Sequence, residues 1–300
     1  METIAKELDV SVILPVYNER GHLKAEIDRV RSALSASSYS FEIIVIDDGS
    51  NDGSELDLPL IPDIRLIRHS VNRGSGAARR TGTRAAYGRV VVWTDVDMTY
   101  PNDEIPWLVD QLEGSDHVVG ARRTEEGTLK LLRMPAKWFI RKLASYLTET
   151  DIKDLNSGLR AFRRDVALQY IHHLPNGFSC VTTLTMSFLA NGYSVTYVPI
   201  NYFPRAGHSK FHWLKDTRRY ILQVIRMTLS YNPLKVFLPV GGALFLIGAT
   251  KLGFDWSSRD FRLSTNTLLV FFAALQVTTI GLLADLVVRS TKTPQSVEPV

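Results

Sequence analysis

The stretch Val90-Val91-Val92-Trp93-Thr94-Asp95-Val96-Asp97 decides how the chain is read. Three β-branched residues and a tryptophan form one continuous apolar run, the pattern of a strand covered on both faces rather than of one with a wet side. The run closes on two acids one residue apart. Working outward, the same arrangement recurs. Val10 to Val16 is a β-branched run ending in Pro15-Val16-Tyr17-Asn18-Glu19, and Phe41 to Ile46 closes on Asp47-Asp48-Gly49-Ser50. Ile64 to Ile67 and His117 to Val119 are shorter runs of the same kind. Between them, Glu19 to Leu34 carries Leu23, Ile27, Val30 and Leu34 at helical spacing, and Gly76 to Tyr87 is rich in small residues. Covered strands alternating with helices predict an α/β domain built on a mostly parallel central sheet. In such sheets ligands bind outside the carboxyl ends of the strands, and Glu19, Asp48, Asp95 and Asp97 all follow strand ends.

Composition narrows the class. The chain has 300 residues, 45% hydrophobic and 22% charged, with 13 Pro and 19 Gly, which excludes a disordered tail, a collagen-like fibre and a low-complexity scaffold. A single cysteine, Cys180, excludes an intrachain disulfide framework and a multi-cysteine zinc site. The net charge of +4 is too small to indicate a nucleic-acid partner, and none is expected.

The apolar residues are concentrated near the C-terminus. No charged residue occurs from Val236 to Thr250, or again from Leu263 to Ala284. The second stretch meets the roughly 20 residues a bilayer core needs, and the first meets it if Lys235 and Lys251 snorkel outward. Phe254 to Asn266 reads as the polar link of a membrane hairpin. Arg205 to Arg226 holds six Lys and Arg against one acid, Asp216, and the tail adds Arg289 and Lys292. By the positive-inside rule, the N-terminal domain and the tail face the cytoplasm. The predicted organisation is a cytoplasmic α/β domain over 1–210, an amphipathic interfacial helix over 211–232, two transmembrane helices over 233–289 and a cytoplasmic tail over 290–300. Leu129 to Leu147, basic and aromatic, reads either as an ordinary amphipathic surface helix broken at Pro135 or as a helix resting on anionic headgroups. Glu2, Lys6, Glu7 and Asp9 leave the first ten residues without an apolar core, so no signal peptide is expected.

Carboxylates gathered at strand ends repel unless a cation or several donors are present. Hard oxygen ligands in an Asp-x-Asp pair suit Mg²⁺ or Mn²⁺, commonly bound through one or two carboxylates together with substrate phosphates. The set Pro15-Val16-Tyr17-Asn18-Glu19, Val45-Ile46-Asp47-Asp48-Gly49-Ser50, Asn72-Arg73-Gly74-Ser75-Gly76-Ala77-Ala78-Arg79 and Asp95-Val96-Asp97 resembles the family 2 glycosyltransferases. Asp154-Leu155-Asn156-Ser157-Gly158-Leu159-Arg160 and Arg205-Ala206-Gly207-His208-Ser209-Lys210 are similar to segments of the polyprenyl-phosphate hexose synthases, the dolichol-phosphate mannose synthase relatives.

The resemblance covers about residues 10 to 215 and implies the GT-A nucleotide-sugar fold. It further implies that Pro15, Tyr17, Glu19, Ile46 and Asp48 line the nucleoside pocket, Asp48 accepting from the base. By the same resemblance Asp95 and Asp97, with Val96 between them, hold the metal and the donor diphosphate. Thr99 stands where those synthases carry a glutamine metal ligand. Arg122 would meet the acceptor phosphate, and Arg205 and Lys210 would close over the phosphates. The implied reaction is inverting transfer of one sugar from a UDP- or GDP-sugar to a polyprenyl phosphate, with the bilayer as partner surface and self-association left open. Such a phosphate, largely ionised at pH 7, needs positioning and charge neutralisation rather than a base.

Other readings of the same residues remain. Asp154 is a catalytic base if the acceptor is a hydroxyl; otherwise, with Ser157 and Arg160, it orders an acceptor-site loop. A processive polysaccharide synthase is disfavoured because no Q-x-x-R-W string occurs. A membrane protein that binds nucleotide sugar without chemistry is the non-enzymatic alternative. Asn72 to Gly76 is not a dinucleotide fingerprint, since Arg79 stands where the third glycine belongs. Its glycines predict a tight strand-to-helix turn. The adjacent pair His172-His173 points to different sides of a helix and is not read as a metal site.

Overall fold

A computed structural model describes residues 8–123, 142, 145–146, 150–204, 222, 225–226, 229, 232–258 and 264–291. Arg205, Lys210, most of the predicted interfacial helix and most of the basic segment from Leu129 lie outside the described residues. The chain divides into two units, Met1–Gln223 and Val224–Val300.

The first unit is built on a seven-stranded sheet. Its strands are β1 (Leu8–Val16), β2 (Phe41–Asp47), β3 (Arg65–Arg68), β4 (Gly88–Trp93), β5 (His117–Arg122), β6 (Arg160–Arg163) and β7 (Val195–Ile200). The order is β3-β2-β1-β4-β6-β5-β7. β1 pairs in parallel with β2 and β4, β2 with β3, and β5 with β7. Only β6 runs against its neighbours β4 and β5. The sheet is therefore mostly parallel, as predicted, with one antiparallel insertion.

The helices of this unit are α1 (Leu23–Ser35), α2 (Ser54–Asp57), α3 (Ser75–Ala85), α4 (Ile105–Asp110), α5 (Arg164–Tyr170) and α6 (Cys180–Ala190). The two-residue period of the strands sends alternate side chains to opposite faces. Val10, Val12, Leu14 and Val16 of β1 pack with Leu23, Ile27, Val30 and Leu34 of α1 and with Ile105 and Leu108 of α4. Ile13 joins Ile44, Ile46, Val91 and Trp93 under Ala78 of α3, Val166 of α5 and Leu184 and Phe188 of α6. Two cores thus sandwich the sheet, which explains the absence of polar alternation in its strands.

β1 is where the strand order reverses direction, with β2 on one side and β4 on the other. Chain direction places the carboxyl ends of β1, β2, β4, β5 and β7 along one edge. A crevice forms at such a switch point, and the acids of the sequence lie along this edge.

The second unit is a helical hairpin of α7 (Leu234–Ser258) and α8 (Thr265–Thr291). Both are long and apolar enough to cross a membrane, with mean hydropathies of 1.6 and 2.0. The helices approach closely through small residues set against large or polar ones. Gly281 faces Phe237, Gly248 faces Phe271 and Gly241 faces Thr278. The predicted link is too long: α7 continues through Phe254, Asp255 and Trp256 to Ser258. Asp255 stays within it because Thr267 Oγ1 and Ser264 N donate to its carboxylate at 2.6 and 3.1 Å.

Candidate active site

Side-chain amides and hydroxyls lace together the loops that follow β1 and β2. Asn18 Nδ2 donates to Asn51 Oδ1 at 3.0 Å and Asn51 N returns to Asn18 Oδ1 at 2.9 Å. Asn18 N donates to Ser50 Oγ and Glu19 N to Ser54 Oγ. Asn18 holds a left-handed φ of 55°, which asparagine tolerates better than most residues. Tyr17 and Glu19 are half-buried here, and Glu19 accepts from or pairs with His22 at 2.9 Å. Pro15 pairs in register with Ile46. Ile46 itself is wholly enclosed in the core, so it supports the cleft from beneath.

Asp48 is buried, and both its oxygens are engaged. Oδ1 meets His69 Nδ1 at 2.6 Å and Arg73 N at 3.0 Å, and Oδ2 accepts from Gly74 N at 2.7 Å. It clasps the end of β2 to the turn into α3, and Oδ2, which accepts one of these bonds, keeps a lone pair for a further donor. The turn itself is the tight one predicted. Gly74 has φ +95°, and a Cβ on it would lie 2.5 Å from Asn176 O. Gly76 N donates to that same carbonyl at 2.7 Å and Ala77 N at 3.2 Å. The amides at the start of α3 therefore serve the loop before α6.

β1 separates Asp48 from Asp95, which sets their backbones two strand spacings apart, about 10 Å. At the end of β4, Asp95 Oδ1 accepts from Arg79 Nη2 of α3 at 2.6 Å. Arg79 is completely enclosed, lies over the Trp93 ring and reaches Cys180 Sγ at 3.8 Å. Burial, the largest single influence, works against its charge, but the Asp95 carboxylate together with Cys180 and Tyr100 overcomes it and raises its pKa. Asp97 is buried, and its Oδ1 accepts from Thr99 Oγ1 at 2.5 Å and Thr99 N at 3.2 Å. Thr99 is thus placed as a donor that orients Asp97. Between them Met98 adopts φ 63°, a costly conformation for an unbranched apolar residue that persists only where the surroundings enforce it. Val96 turns inward to the α1-side core.

The segment Asp154 to Arg160 packs directly against this acid loop. A Cβ on Gly158 would lie 2.6 Å from Asp95 Oδ2 and 3.2 Å from the Tyr100 hydroxyl. Tyr100 Oη accepts from Gly158 N at 2.6 Å, and burial raises its pKa. Arg122, at the end of β5, grips Asp154 in a fork, Nε to Oδ2 at 2.7 Å and Nη2 to Oδ1 at 2.9 Å. Burial alone would raise the Asp154 pKa. The Arg122 bonds and charge, with the Asn156 and Arg122 amides, overcome it and hold the carboxyl below its ordinary value. Arg160 is fully buried and its guanidinium is satisfied by Ser157 O, Val181 O and Thr185 Oγ1. Burial and then the neighbouring Arg79 charge lower its pKa to about 10.

Among the described residues, no group of three or more His, Cys, Asp and Glu could hold a metal. Asp95 and Asp97, oriented by separate donors at the switch point, fit an ion that takes two carboxylates and completes its shell from substrate phosphates.

Residues 11–171 match the glycosyl transferase family 2 model. The chain belongs to glycosyl transferase family 2. Residues 232–289 match the GtrB C-terminal hairpin, which covers α7 and α8 of this glycosyltransferase. It is 31% identical to undecaprenyl-phosphate 4-deoxy-4-formamido-L-arabinose transferase of Aeromonas hydrophila, over 93% of this chain and 88% of that one. The protein of that name from Yersinia pestis is 30% identical over 80% of this chain and 73% of its own length. In fold it is similar to glucosyl-3-phosphoglycerate synthase from Mycobacterium tuberculosis in complex with uridine diphosphate. That match has a TM-score of 0.60 and 21% identity, covering 74% of this chain and 80% of the other. The same synthase with Mn²⁺, UDP-glucose and phosphoglyceric acid matches with a TM-score of 0.58 at 22% identity over 74% and 80%. The glycosyltransferase domain therefore has the GT-A type of fold expected from its motifs. Sequence reasoning overlooked the buried Arg79 contact, Gly158 as a point of close approach, and Tyr100. Arg79 and Gly158 lay inside quoted motifs, but nothing local marks an arginine as enclosed.

Proposed function

We propose that this glycosyltransferase moves one sugar from a UDP- or GDP-sugar to a polyprenyl phosphate, with inversion at the anomeric carbon. The relatives named for undecaprenyl phosphate and the hairpin support a lipid acceptor. The observation that carries the choice of a phosphate over a hydroxyl is the grip of Arg122 on Asp154. A carboxylate held ionised by a forked guanidinium and a backbone amide is a poor proton acceptor. A phosphate monoester, with a second pKa of about 6, needs none. Its own oxygen attacks the anomeric carbon as the bond to the nucleoside diphosphate breaks.

Asp95 and Asp97 would hold Mg²⁺ or Mn²⁺, with Arg79 and Thr99 fixing the two carboxylates. The ion, when bound, supplies positive charge where the departing diphosphate gains negative charge. Pro15, Tyr17 and Glu19 would face the nucleoside, with Ile46, Asp48 and Val96 shaping the cleft from behind. Arg122, Arg205 and Lys210 would meet the phosphates. The hairpin would anchor residues 1–210 at the cytoplasmic face, with 211–232 at the interface and 290–300 as a cytoplasmic tail.

The purified chain in detergent, given labelled donor and Mn²⁺, should label undecaprenyl phosphate as a mild-acid-labile lipid and leave undecaprenol unlabelled. EDTA should stop transfer and Mn²⁺ restore it. Label entering the alcohol in preference to the phosphate would revive Asp154 as a base.

A further inference from the structure

The acid loop is tied down a second time, from the α1 side of the sheet. Asn102 is wholly buried, and its side-chain amide bridges the Thr94 hydroxyl and the Asp95 carbonyl at the start of the loop. Its Oδ1 accepts from Thr94 Oγ1 at 2.6 Å, and its Nδ2 donates to Asp95 O at 3.2 Å. The same Nδ2 donates to Glu26 Oε2 of α1. Glu26 is 1% exposed and 3.5 Å from Arg29, which also donates to Tyr100 O at 3.3 Å.

A buried carboxylate paired at that distance is an expensive way to fill a core. An apolar pair of similar volume is often as stable or more so. What the polar pair supplies is direction. Asn102 closes the loop from Thr94 to Asn102, which holds Asp95, Asp97, Thr99 and the strained Met98, and it fixes the Asp95 carbonyl while Arg79 fixes the Asp95 carboxylate. We propose that Asn102, held by Glu26, is a positioning residue that sets the backbone of Asp95 for metal binding. This rests on reading Asp95 and Asp97 as the metal ligands. Partners that orient ligands in this way typically contribute 10–100-fold to metal affinity.

The test uses the full chain in detergent and two variants, Asn102→Asp and the double variant Asn102→Asp with Glu26→Gln. In the single variant two carboxylates meet, and both stability and Mn²⁺ affinity should fall. In the double variant the new side-chain amide on α1 donates to the new carboxylate on the loop, which restores a donor–acceptor pair in the core. The Asp95 carbonyl still faces an oxygen. Thermal melting should therefore recover most of its loss, while Mn²⁺ affinity without nucleotide, read by electron paramagnetic resonance, should stay at least about tenfold weaker than wild type. kcat should follow the affinity, with the acceptor KM little changed. Recovery of Mn²⁺ affinity together with melting temperature would overturn the proposal, as would wild-type affinity in the single variant. If the wild-type chain binds no Mn²⁺ and transfers sugar in EDTA, the metal reading has failed, and this inference with it.

Discussion

Arg79 Nη2 donates to Asp95 Oδ1 at 2.6 Å from a fully enclosed position between α3 and the end of β4. The pair joins the helix after the glycine-rich turn to the first acid of Asp95-Val96-Asp97. It orients a carboxylate at the cleft without occupying the cleft. Arg79→Met keeps an unbranched apolar stem and removes the guanidinium and its charge. Because Asp95 is a third exposed, water can replace part of the lost pairing, so stability should fall by less than the ~3–5 kcal/mol expected on breaking a fully buried pair. Metal affinity and kcat should fall roughly 10–100-fold. Melting curves beside Mn²⁺ titrations check the disproportion.

Asp154→Asn separates the two acceptor chemistries. With a phosphate acceptor the variant loosens Arg122, so the acceptor KM should rise while kcat falls less than about tenfold. A lost general base would lower kcat by roughly 10²–10⁴-fold. The pH profile adds a second reading. Asp154 is held below the ordinary carboxylate value and so stays ionised above it. The acidic limb should then follow the acceptor's second ionisation near about 6 and persist unchanged in Asp154→Asn.

Gly158→Ala inserts a methyl group 2.6 Å from Asp95 Oδ2. Either the segment from Asp154 to Arg160 backs away or Asp95 turns from its place. Folding should weaken by about 1–3 kcal/mol, the usual cost of overpacking. Transfer should drop by more than that loss explains at temperatures where the chain is fully folded. Assays and melts on one preparation settle whether the glycine serves the site or only the packing.

His117 carries a pH dependence of stability. It is wholly enclosed beside Phe162 and Phe188, and neither ring nitrogen has a hydrogen-bond partner. Burial, and then the Arg160 charge, push its pKa well below 6.5. The unfolded chain takes up this proton below about pH 6.5 and the folded chain does not. Stability is therefore fully present above that pH and falls as pH drops through it, by up to about 1.4 kcal/mol per unit. In His117→Leu that component should vanish, so the variant's advantage over wild type should widen from pH 7 to pH 5 in denaturant melts.

Much of the domain was legible because β1, β2 and β4 are enclosed on both faces and their sequences run apolar without interruption. β6 was missed for the opposite reason. Arg160-Ala161-Phe162-Arg163 is four residues long with an arginine at each end, and only the fold reveals that Arg160 is buried on carbonyls. β7 was also missed: Val195–Ile200 has four half-buried or exposed positions and a proline. In the site, Asp95 and Asp97 were readable from their place after a strand. Arg79 was quoted only as the end of a glycine motif, and Asn102 and Glu26 are 76 residues apart. Such contacts have no local signal, since charge and hydropathy do not say which polar residues are carried inside. The link in the hairpin was overestimated because hydropathy registers the charge of Asp255 but not the Thr267 hydroxyl that meets it.

The first amides of α3 answer to the carbonyl of Asn176. Many phosphate sites borrow the positive end of a helix, a contribution that no chelator can strip away. Here two of those amides, Gly76 N and Ala77 N, are already engaged by that carbonyl, so this helix start offers an anion less than an open one would. On the proposed metal-dependent reading, the free divalent ion and the salt of the surrounding solution would weigh more on turnover than they do where a fixed dipole holds the anion.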